Sequence, residues 1–355
     1  MSKLPRVMKG VVLTGHGGTD KLQYHTDLPV PSPRRQDVLI RVRAAGVNNT
    51  DINTRTAWYS KSEGSHEDAS WGGQALSFPR IQGADVCGEI IAVGENINPD
   101  RIGERVLIEP CIREVNGQPL EQPWHFGSEC DGGFAEYTVV SAMHAHAINS
   151  QLSDVELASF PCSYSTAENL LTRANVKATD RVLVTGASGG VGSAAVQLAK
   201  ARGAEVIAIT SPAKSQEMIA LGASQVIHRN ASATEALGEN AVDVVVDMVG
   251  GDNWPALLQV LKPQGRYAVA GAIAGPNVTL DIRTLYLKDL SFFGCTVLEP
   301  DVFSRLIQRI ERGDIQPLVA ETFELADIVE AQEMFLQKQH IGKIVLSVAD
   351  GSTSR

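Results

Sequence analysis

The chain is short of cysteine. Only Cys87, Cys111, Cys130, Cys162 and Cys295 occur in 355 residues, and no two are spaced as C-x-x-C. That excludes a zinc ribbon or a thioredoxin-type motif. An odd number of scattered thiols points to a reducing compartment rather than a disulfide framework. Positive charge is not in excess either: 31 Lys and Arg stand against 41 Asp and Glu, a net charge of -10. Nucleic acid and anionic membranes are disfavoured as partners, because phosphate binding needs a basic face. No apolar run approaches the ~20 residues of a membrane helix. The opening stretch MSKLPRVMKGVVLTGHGG is basic but has no apolar h-region, so no signal peptide is expected and the expected location is cytoplasmic. Internal repeats and low-complexity segments are missing. What is present is 43% hydrophobic and 20% charged residues, enough for a sizeable core, in a length that suits two domains.

The first half is rich in strands and turns. VVLTG, DVLIRVRAAG, CGEIIAVG, ERVLIEP and AEYTVV read as β, separated by Gly, Pro, Asn and Asp clusters. Residues 60–80 and 112–133 read as long loops, each functional or mobile. After Leu152 the pattern changes. SDVELASFPCSYSTAENLLTRANV reads mostly as helix with Ser153 as N-cap. Strands then alternate with helices: RVLVTG, a helix from Gly190 to about Arg202, EVIAIT, a helix to Leu221, SQVIHR, VDVVVDMVG, a helix near Trp254, RYAVAGA and LSFFGCTV. These strands are continuous apolar runs, which predicts a parallel sheet buried on both faces. Two amphipathic helices, DVFSRLIQRIERG and IVEAQEMFLQKQ, precede a last strand, KIVLSV, and residues 349–355 read as a frayed end.

The strongest chemical signal is RVLVTGASGGVGSAAVQLAKARGAEVIAITS. A strand runs into a glycine-rich turn and a helix follows. Glycine allows the close backbone approach that a pyrophosphate needs, and the helix N-terminus offers free N–H groups to it. Ser188, Gly189, Gly190, Val191 and Gly192 are the expected cofactor contacts. An acid that would hold ribose hydroxyls is missing from the end of the second strand, which closes on Thr210, Ser211 and Pro212 with Lys214 beyond. Neutral hydroxyls and a cation favour a 2′-phosphate, with Arg229 adding charge after the third strand, so NADPH is the expected cofactor. Gly250, Gly271 and Ala272 end the fourth and fifth strands, where the ligand crevice of such sheets forms.

Taken together, AAGVNNTD with Arg55 and Tyr59, GADVCGEIIAVG, IGERV, DGGFAEYTVV, GASGGVG, VDVVVDMVGG, GRYAVAGA, LKDLSFFG and HIGKIVL resemble the medium-chain dehydrogenase/reductase superfamily, most closely its zinc-independent quinone oxidoreductase branch. The resemblance covers nearly the whole chain. It implies an α/β protein: a GroES-like β-rich catalytic domain from residues 1–152 and 298–355, and a Rossmann doubly wound parallel sheet at 153–297. It also implies an active site in the cleft between them. Zinc-dependent members hold their metal with a Cys, a G-H-E segment and a later Cys or Asp. Here the positions are Asn48, Gly83-Ala84-Asp85 and Cys162. One thiol and one carboxylate fall short of the usual three ligands, so no zinc is expected. Only Cys111 and Cys130 stand in the segment of the structural zinc lobe. A counter-reading assembles Asp85, Cys87, Cys162 and either His66 or His125 into an unconventional site.

Without a Lewis acid, conjugated acceptors are the natural substrates: quinones, or enones and enals, whose charge after hydride addition is delocalised and can be stabilised by hydrogen-bond donors. The resemblance gives Asn48 to the cofactor or substrate carbonyl, Tyr59 to proton donation or orientation, Asp51 to fixing the loop, Thr166 to the nicotinamide side and Lys343 to the cofactor. Relatives often carry Tyr where Asn53 stands. An enoyl-thioester reductase is a second enzyme reading. It is disfavoured because residues 60–80 carry Glu63, Glu67 and Asp68 against Lys61 and Arg80, whereas a CoA phosphate needs cations. An alcohol dehydrogenase lacks its ligands. A reading of another class is an NADPH-binding structural or regulatory protein with little turnover. The edge strand LSFFGCTV implies a homodimer with one continuous sheet.

Overall fold

Strand pairing sorts the chain into two units in a computed structural model, which describes residues 4–61 and 66–348. Glu63 and the tail 349–355 lie outside the described residues. The first unit comprises 1–162 and 317–355, and the second 163–316. The boundaries therefore fall about one helix later on each side than expected, for identifiable reasons. The short helix Asp154–Leu157 is capped by Ser153 and held by Arg105, whose Nε donates to Asp154 at 2.7 Å, so it stays with the first unit. The helix Val302–Arg312 buries Val302, Phe303, Leu306 and Ile310, and its Arg309 lies 3.6 Å from Glu168, so it stays with the second.

In the first unit, the eleven-residue strand Asp37–Val47 is the spine. It is buried along nearly its whole length because it has neighbours on both sides. Asp85–Val93 pairs antiparallel on one side; Tyr137–Ser141 and then Lys343–Ser347 pair antiparallel on the other. The sheet continues outward to Arg105–Ile108 and Ala145–Ala147, and to Val319–Glu324, which is parallel to Lys343–Ser347. Both chain ends thus build one seven-stranded sheet. A three-stranded sheet of Leu22–Pro29, Val7–Leu13 and Arg80–Ile81 stands apart from it.

The stretch 112–133 is a loop only in its last part, after His125. Cys111–Val115 and Gln118–His125 form an antiparallel hairpin turning at Asn116-Gly117, whose φ values are 58° and 73°. That pair of left-handed residues is the preferred two-residue hairpin turn. Pro119 and Pro123 fit here because prolines are tolerated on edge strands, and both strands of a two-stranded sheet are edges.

The second unit is the expected parallel sheet. Its six strands run in the order Gln225–His228, Glu205–Thr210, Arg181–Val184, Val242–Asp247, Leu261–Val269 and Ser291–Gly294, all parallel. Val182, Leu183, Val184, Val244, Val245 and Val246 are fully buried, each contributing about 1.5–3 kcal/mol through burial of its side chain. Where this unit begins and ends, a hydrogen-bonded triad forms around the buried side chains of Tyr164 and Gln197. Tyr164 Oη donates to the Gln316 carbonyl at 2.7 Å, Gln197 Nε2 donates to Tyr164 Oη at 2.9 Å, and Gln316 N–H donates to Gln197 Oε1 at 2.8 Å. Among the described residues no helix is long and apolar enough to cross a membrane.

Candidate functional site

Strand register assembles a cluster of polar side chains within the first unit. Ile344 pairs with Val47, and Gly46 pairs with Asp85. Lys343, Asn48 and Asp85 therefore meet where three strand ends converge. Gly46 is required there, because a Cβ would stand 2.5 Å from Asp85 Oδ2 and 2.8 Å from the Ala158 carbonyl. Lys343 Nζ lies 2.8 Å from Asp85 Oδ2, donates to the Val47 carbonyl at 3.0 Å, and donates to Asn48 Oδ1. Asn48 Nδ2 donates to Asp85 Oδ2 at 2.8 Å and to the Gly46 carbonyl at 3.3 Å. The second Asp85 oxygen accepts from the Cys162 N–H. Asp85 is fully buried, Lys343 is 2% exposed and Asn48 5%.

This geometry bears on two expectations. Lys343 was expected to reach the cofactor; its ammonium is engaged by Asn48, Asp85 and the Val47 carbonyl. Asn48 was expected to hold a carbonyl with its amide, yet both amide hydrogens are taken within the protein. An amide has two hydrogens to give, so Asn48 fixes the site more than it offers a donor.

Asn48 is also the N-cap of the helix Asn49–Arg55. Its N–H donates to Asp51 Oδ2 at 2.7 Å, and Gln82 Nε2 donates to the Asp51 carbonyl at 2.9 Å. Asp51 thereby ties the turn together. Burial raises its carboxyl pKa to about 7, against the opposing pull of the Asn48 N–H and the Lys343 ammonium. The helix ends at Arg55, and the chain turns back so that Tyr59, half-buried, points its hydroxyl at Thr50 Oγ1, 3.2 Å away. Burial raises the phenol pKa, so at neutral pH Tyr59 is a proton donor.

The unconventional metal site does not form. Cys87 turns to Asp154, with burial raising its thiol, while the His125 N–H is tied to Glu129 and its ring stacks on Trp71. Among the described residues no group of three or more His, Cys, Asp or Glu could hold a metal. A zinc ion does not fit the Asn48, Asp85 and Cys162 positions either. Asn48 is an amide, and Asp85 is already paired with a buried ammonium that would repel a dication.

The second unit carries the dinucleotide features. Gly189 caps the helix Gly190–Ala201, whose first N–H groups have no acceptor within the helix. A Cβ at Gly192 would stand 2.2 Å from the Gly186 carbonyl, so only glycine lets the helix start this close to the turn. Ser188 and Val191 lie half-buried beside it. At the end of the second strand Thr210 Oγ1 is buried with no hydrogen-bond partner among the described residues. Arg229 N–H donates to the Thr210 carbonyl at 2.8 Å. Lys214 has its pKa lowered by burial and then by the charge of Arg229. Two cations and the hydroxyls of Thr210 and Ser211 therefore share one strand end. The residues present fit a dinucleotide.

Sequence reasoning missed Asp247, fully buried at the end of its strand. It accepts from Thr185 Oγ1 at 2.5 Å, Tyr267 Oη at 2.6 Å and the Val249 N–H at 2.8 Å, and it also reaches the Gly250 N–H. A charged residue closing the apolar run VDVVVD was the available signal. Asp247 holds the Gly250 turn, where φ is +62°. Gly271 packs on the Met248 backbone, Ala272 follows it, and Thr166 is half-buried on the helix Pro161–Arg173.

Comparison with known proteins follows the same division. Residues 34–150 match the family model described as alcohol dehydrogenase GroES-like domain, and residues 190–312 the one described as zinc-binding dehydrogenase. A solved structure from Sinorhizobium meliloti 1021, described as an alcohol dehydrogenase, is 43% identical, with a TM-score of 0.89 over 98% of each chain. Human quinone oxidoreductase is 28% identical over 96% of this chain and 98% of its own. The acryloyl-coenzyme A reductase of Metallosphaera sedula is 29% identical over 96% of this chain and 100% of its own.

Proposed function

The chain belongs to the medium-chain dehydrogenase/reductase superfamily and is an oxidoreductase; from that premise we propose that it is a zinc-independent, NADPH-dependent reductase of quinones or α,β-unsaturated carbonyls. The observation that carries this reading is the Lys343 ammonium, buried and bonded to Asn48 and Asp85. A fixed internal cation takes up the carboxylate that a metal would need. The site then lacks the Lewis acid that simple ketones and alcohols require. Conjugated acceptors need less, because their developing negative charge is delocalised and hydrogen-bond donors can stabilise it.

When bound, the nicotinamide cofactor supplies the hydride. The protein's own residues bind, orient and protonate. Gly189, Gly190 and Gly192 admit the pyrophosphate to the helix N-terminus, with Ser188 and Val191 beside it. Lys214, Arg229, Thr210 and Ser211 receive the 2′-phosphate. Gly250, Gly271 and Ala272 leave room for backbone approach to the nicotinamide ribose, and Thr166 serves the nicotinamide side. Tyr59 gives its proton or hydrogen bond to the reduced acceptor. Its 3.2 Å bond to Thr50 is long enough to exchange for a better one. Asn48 and Asp51 hold the turn that presents Tyr59. A second reading, reduction of an enoyl thioester, is favoured by the likeness to an acryloyl-coenzyme A reductase.

The test is NADPH consumption by purified protein with quinones, enals, enones and enoyl thioesters, each with and without a chelator, alongside metal analysis. Turnover on a quinone or enone that a chelator leaves unchanged is the expected result. Stoichiometric zinc or loss of activity on chelation would end the metal-free reading. Turnover confined to thioesters would select the second reading. Tight NADPH binding with no turnover anywhere would favour a binding protein.

We also propose a homodimer. Ser291–Gly294 is the edge of its sheet, and Phe292, Ile282, Tyr286 and Leu287 on and beside it are exposed, Leu287 by 71%. Pairing with a second copy would cover both the edge and these side chains. Light scattering should give twice 38.0 kDa; a monomer across the working concentration range would remove the proposal.

A further inference from the structure

Three consecutive backbone N–H groups follow Asp247, and all three turn back onto buried side-chain oxygens. The Met248 N–H donates to Thr185 Oγ1 at 3.1 Å. The Val249 N–H donates to Asp247 Oδ1 at 2.8 Å, and the Gly250 N–H reaches both Asp247 oxygens at 3.3 Å. Thr185 gives its own hydroxyl hydrogen to Asp247 Oδ1 at 2.5 Å. Tyr267 Oη donates to the other oxygen at 2.6 Å. Burial, and after it the charge of Asp247, push the Tyr267 phenol up, so it stays a donor at neutral pH. Backbone holds the far side of the turn. The Ala274 N–H donates to the Val249 carbonyl at 2.8 Å, and the Gly251 N–H donates to the Gly275 carbonyl at 3.2 Å.

The three side chains come from three neighbouring strands. Thr185 follows Arg181–Val184 and immediately precedes Gly186, where the glycine-rich turn begins. Asp247 ends Val242–Asp247, and Tyr267 lies within Leu261–Val269. Gly186 itself packs on the second turn, since a Cβ there would stand 3.2 Å from Val249 Cγ2. The glycine-rich turn and residues 248–251 are therefore fastened to each other. Gly250 and Gly251, with φ of +62° and +70°, have no side chains to hold them. Glycine loses the most conformational freedom on ordering, so the order of this turn comes from its neighbours, and Asp247 supplies most of the acceptors.

We propose that Asp247 is a positioning residue for the nicotinamide half of the cofactor, with Thr185 and Tyr267 as its fasteners: it holds residues 248–251 in one conformation, joined to the glycine-rich turn, before the cofactor arrives. This role rests on the proposed approach of the nicotinamide ribose to the Gly250 turn, and is independent of the choice between NADPH and NADH. A turn that is ordered only part of the time lowers the apparent affinity by the fraction of molecules in which it is formed. The adenosine half, placed above at the end of Glu205–Thr210, is not subject to that fraction.

The experiment separates the two halves. Full-length Asp247→Asn, Tyr267→Phe and Thr185→Val are titrated with NADPH, with NADH, and with adenosine 2′,5′-bisphosphate and 5′-ADP, which lack the nicotinamide. Affinity for both dinucleotides should fall by the same factor, about tenfold in Asp247→Asn and about three- to tenfold in the other two, the size of a charged and of an ordinary hydrogen bond. The two fragments should stay within about twofold. Thr185→Ser keeps the hydroxyl and should bind as the unaltered protein does. Without cofactor, the Val249 and Gly250 amides of Asp247→Asn should exchange hydrogen about tenfold faster, while the Val242–Asp247 strand keeps its protection. If Asp247→Asn does not fold, Tyr267→Phe and Thr185→Val decide, since each nearly keeps the size of its side chain. Unchanged dinucleotide affinity in those two variants overturns the proposal. So does a loss shared equally by the fragments, which would make Asp247 a support for the whole sheet end. Equal loss of NADPH and NADH upholds it whichever the unaltered protein binds more tightly; that preference alone bears on the 2′-phosphate, which keeps the two failures apart.

Discussion

Lys343→Met is expected to lower folding stability by about 3–5 kcal/mol, the cost of leaving one member of a buried ion pair without its partner. The side chains are nearly equal in length, so packing changes little. What changes is the electrostatics of Asp85, which is fully buried and would keep only the Asn48 amide and the Cys162 N–H. Asn48 would lose the donor on its Oδ1, and its amide would become free to turn over. The check is the urea midpoint at neutral pH. Asp85→Asn combined with Lys343→Met should recover more than half of the loss, because replacing both charges removes the uncompensated one. A cost under about 1 kcal/mol, the range of exposed ion pairs, would show that the ammonium is not the partner the carboxylate depends on.

The second large effect concerns cofactor choice. Lys214→Ala and Arg229→Ala should each weaken NADPH binding by about 10- to 100-fold, since a hydrogen bond to a charged group contributes about 1.5–3 kcal/mol. NADH, with no 2′-phosphate, should bind within about twofold of the unaltered protein. Because the two cations repel each other in the absence of an anion and a bound phosphate relieves that repulsion, removing either one should cost more than half of what removing both costs. Fluorescence titration with both cofactors measures this. Equal losses for NADPH and NADH would assign Lys214 and Arg229 to the pyrophosphate. No loss for either would leave them as surface charges.

Much of this was legible in the sequence because it is local. The glycine-rich turn, the apolar strands of the parallel sheet and the Ser153 cap each declare themselves within a few residues. The two-ended β unit came instead from the family resemblance, with which the late strand KIVLSV agreed. What stayed hidden depends on register. Nothing near Lys343 in the chain says that Ile344 pairs with Val47, and only that pairing turns a lysine expected near the cofactor into the partner of Asn48 and Asp85. Asp85 itself could be weighed only as a candidate ligand, because its neighbour across Gly46 is nearly forty residues earlier in the chain. The hairpin at Asn116-Gly117 was hidden differently. Its turn signal, Asn116-Gly117, was present inside the stretch read as a loop. Asp247 looked like a strand end until Thr185, Tyr267 and the backbone after it were found on its oxygens.

The triad of Tyr164, Gln197 and Gln316 has a consequence for how the chain can be cut. It ties the first turn of the second unit to its last residue, so this unit enters and leaves at one point. A segment whose ends already meet can be lifted out of its host without stretching either piece. Residues 163–316 are in that sense a guest. Their removal would leave 162 and 317 to be rejoined by a short linker, and Val47 would still find Ile344.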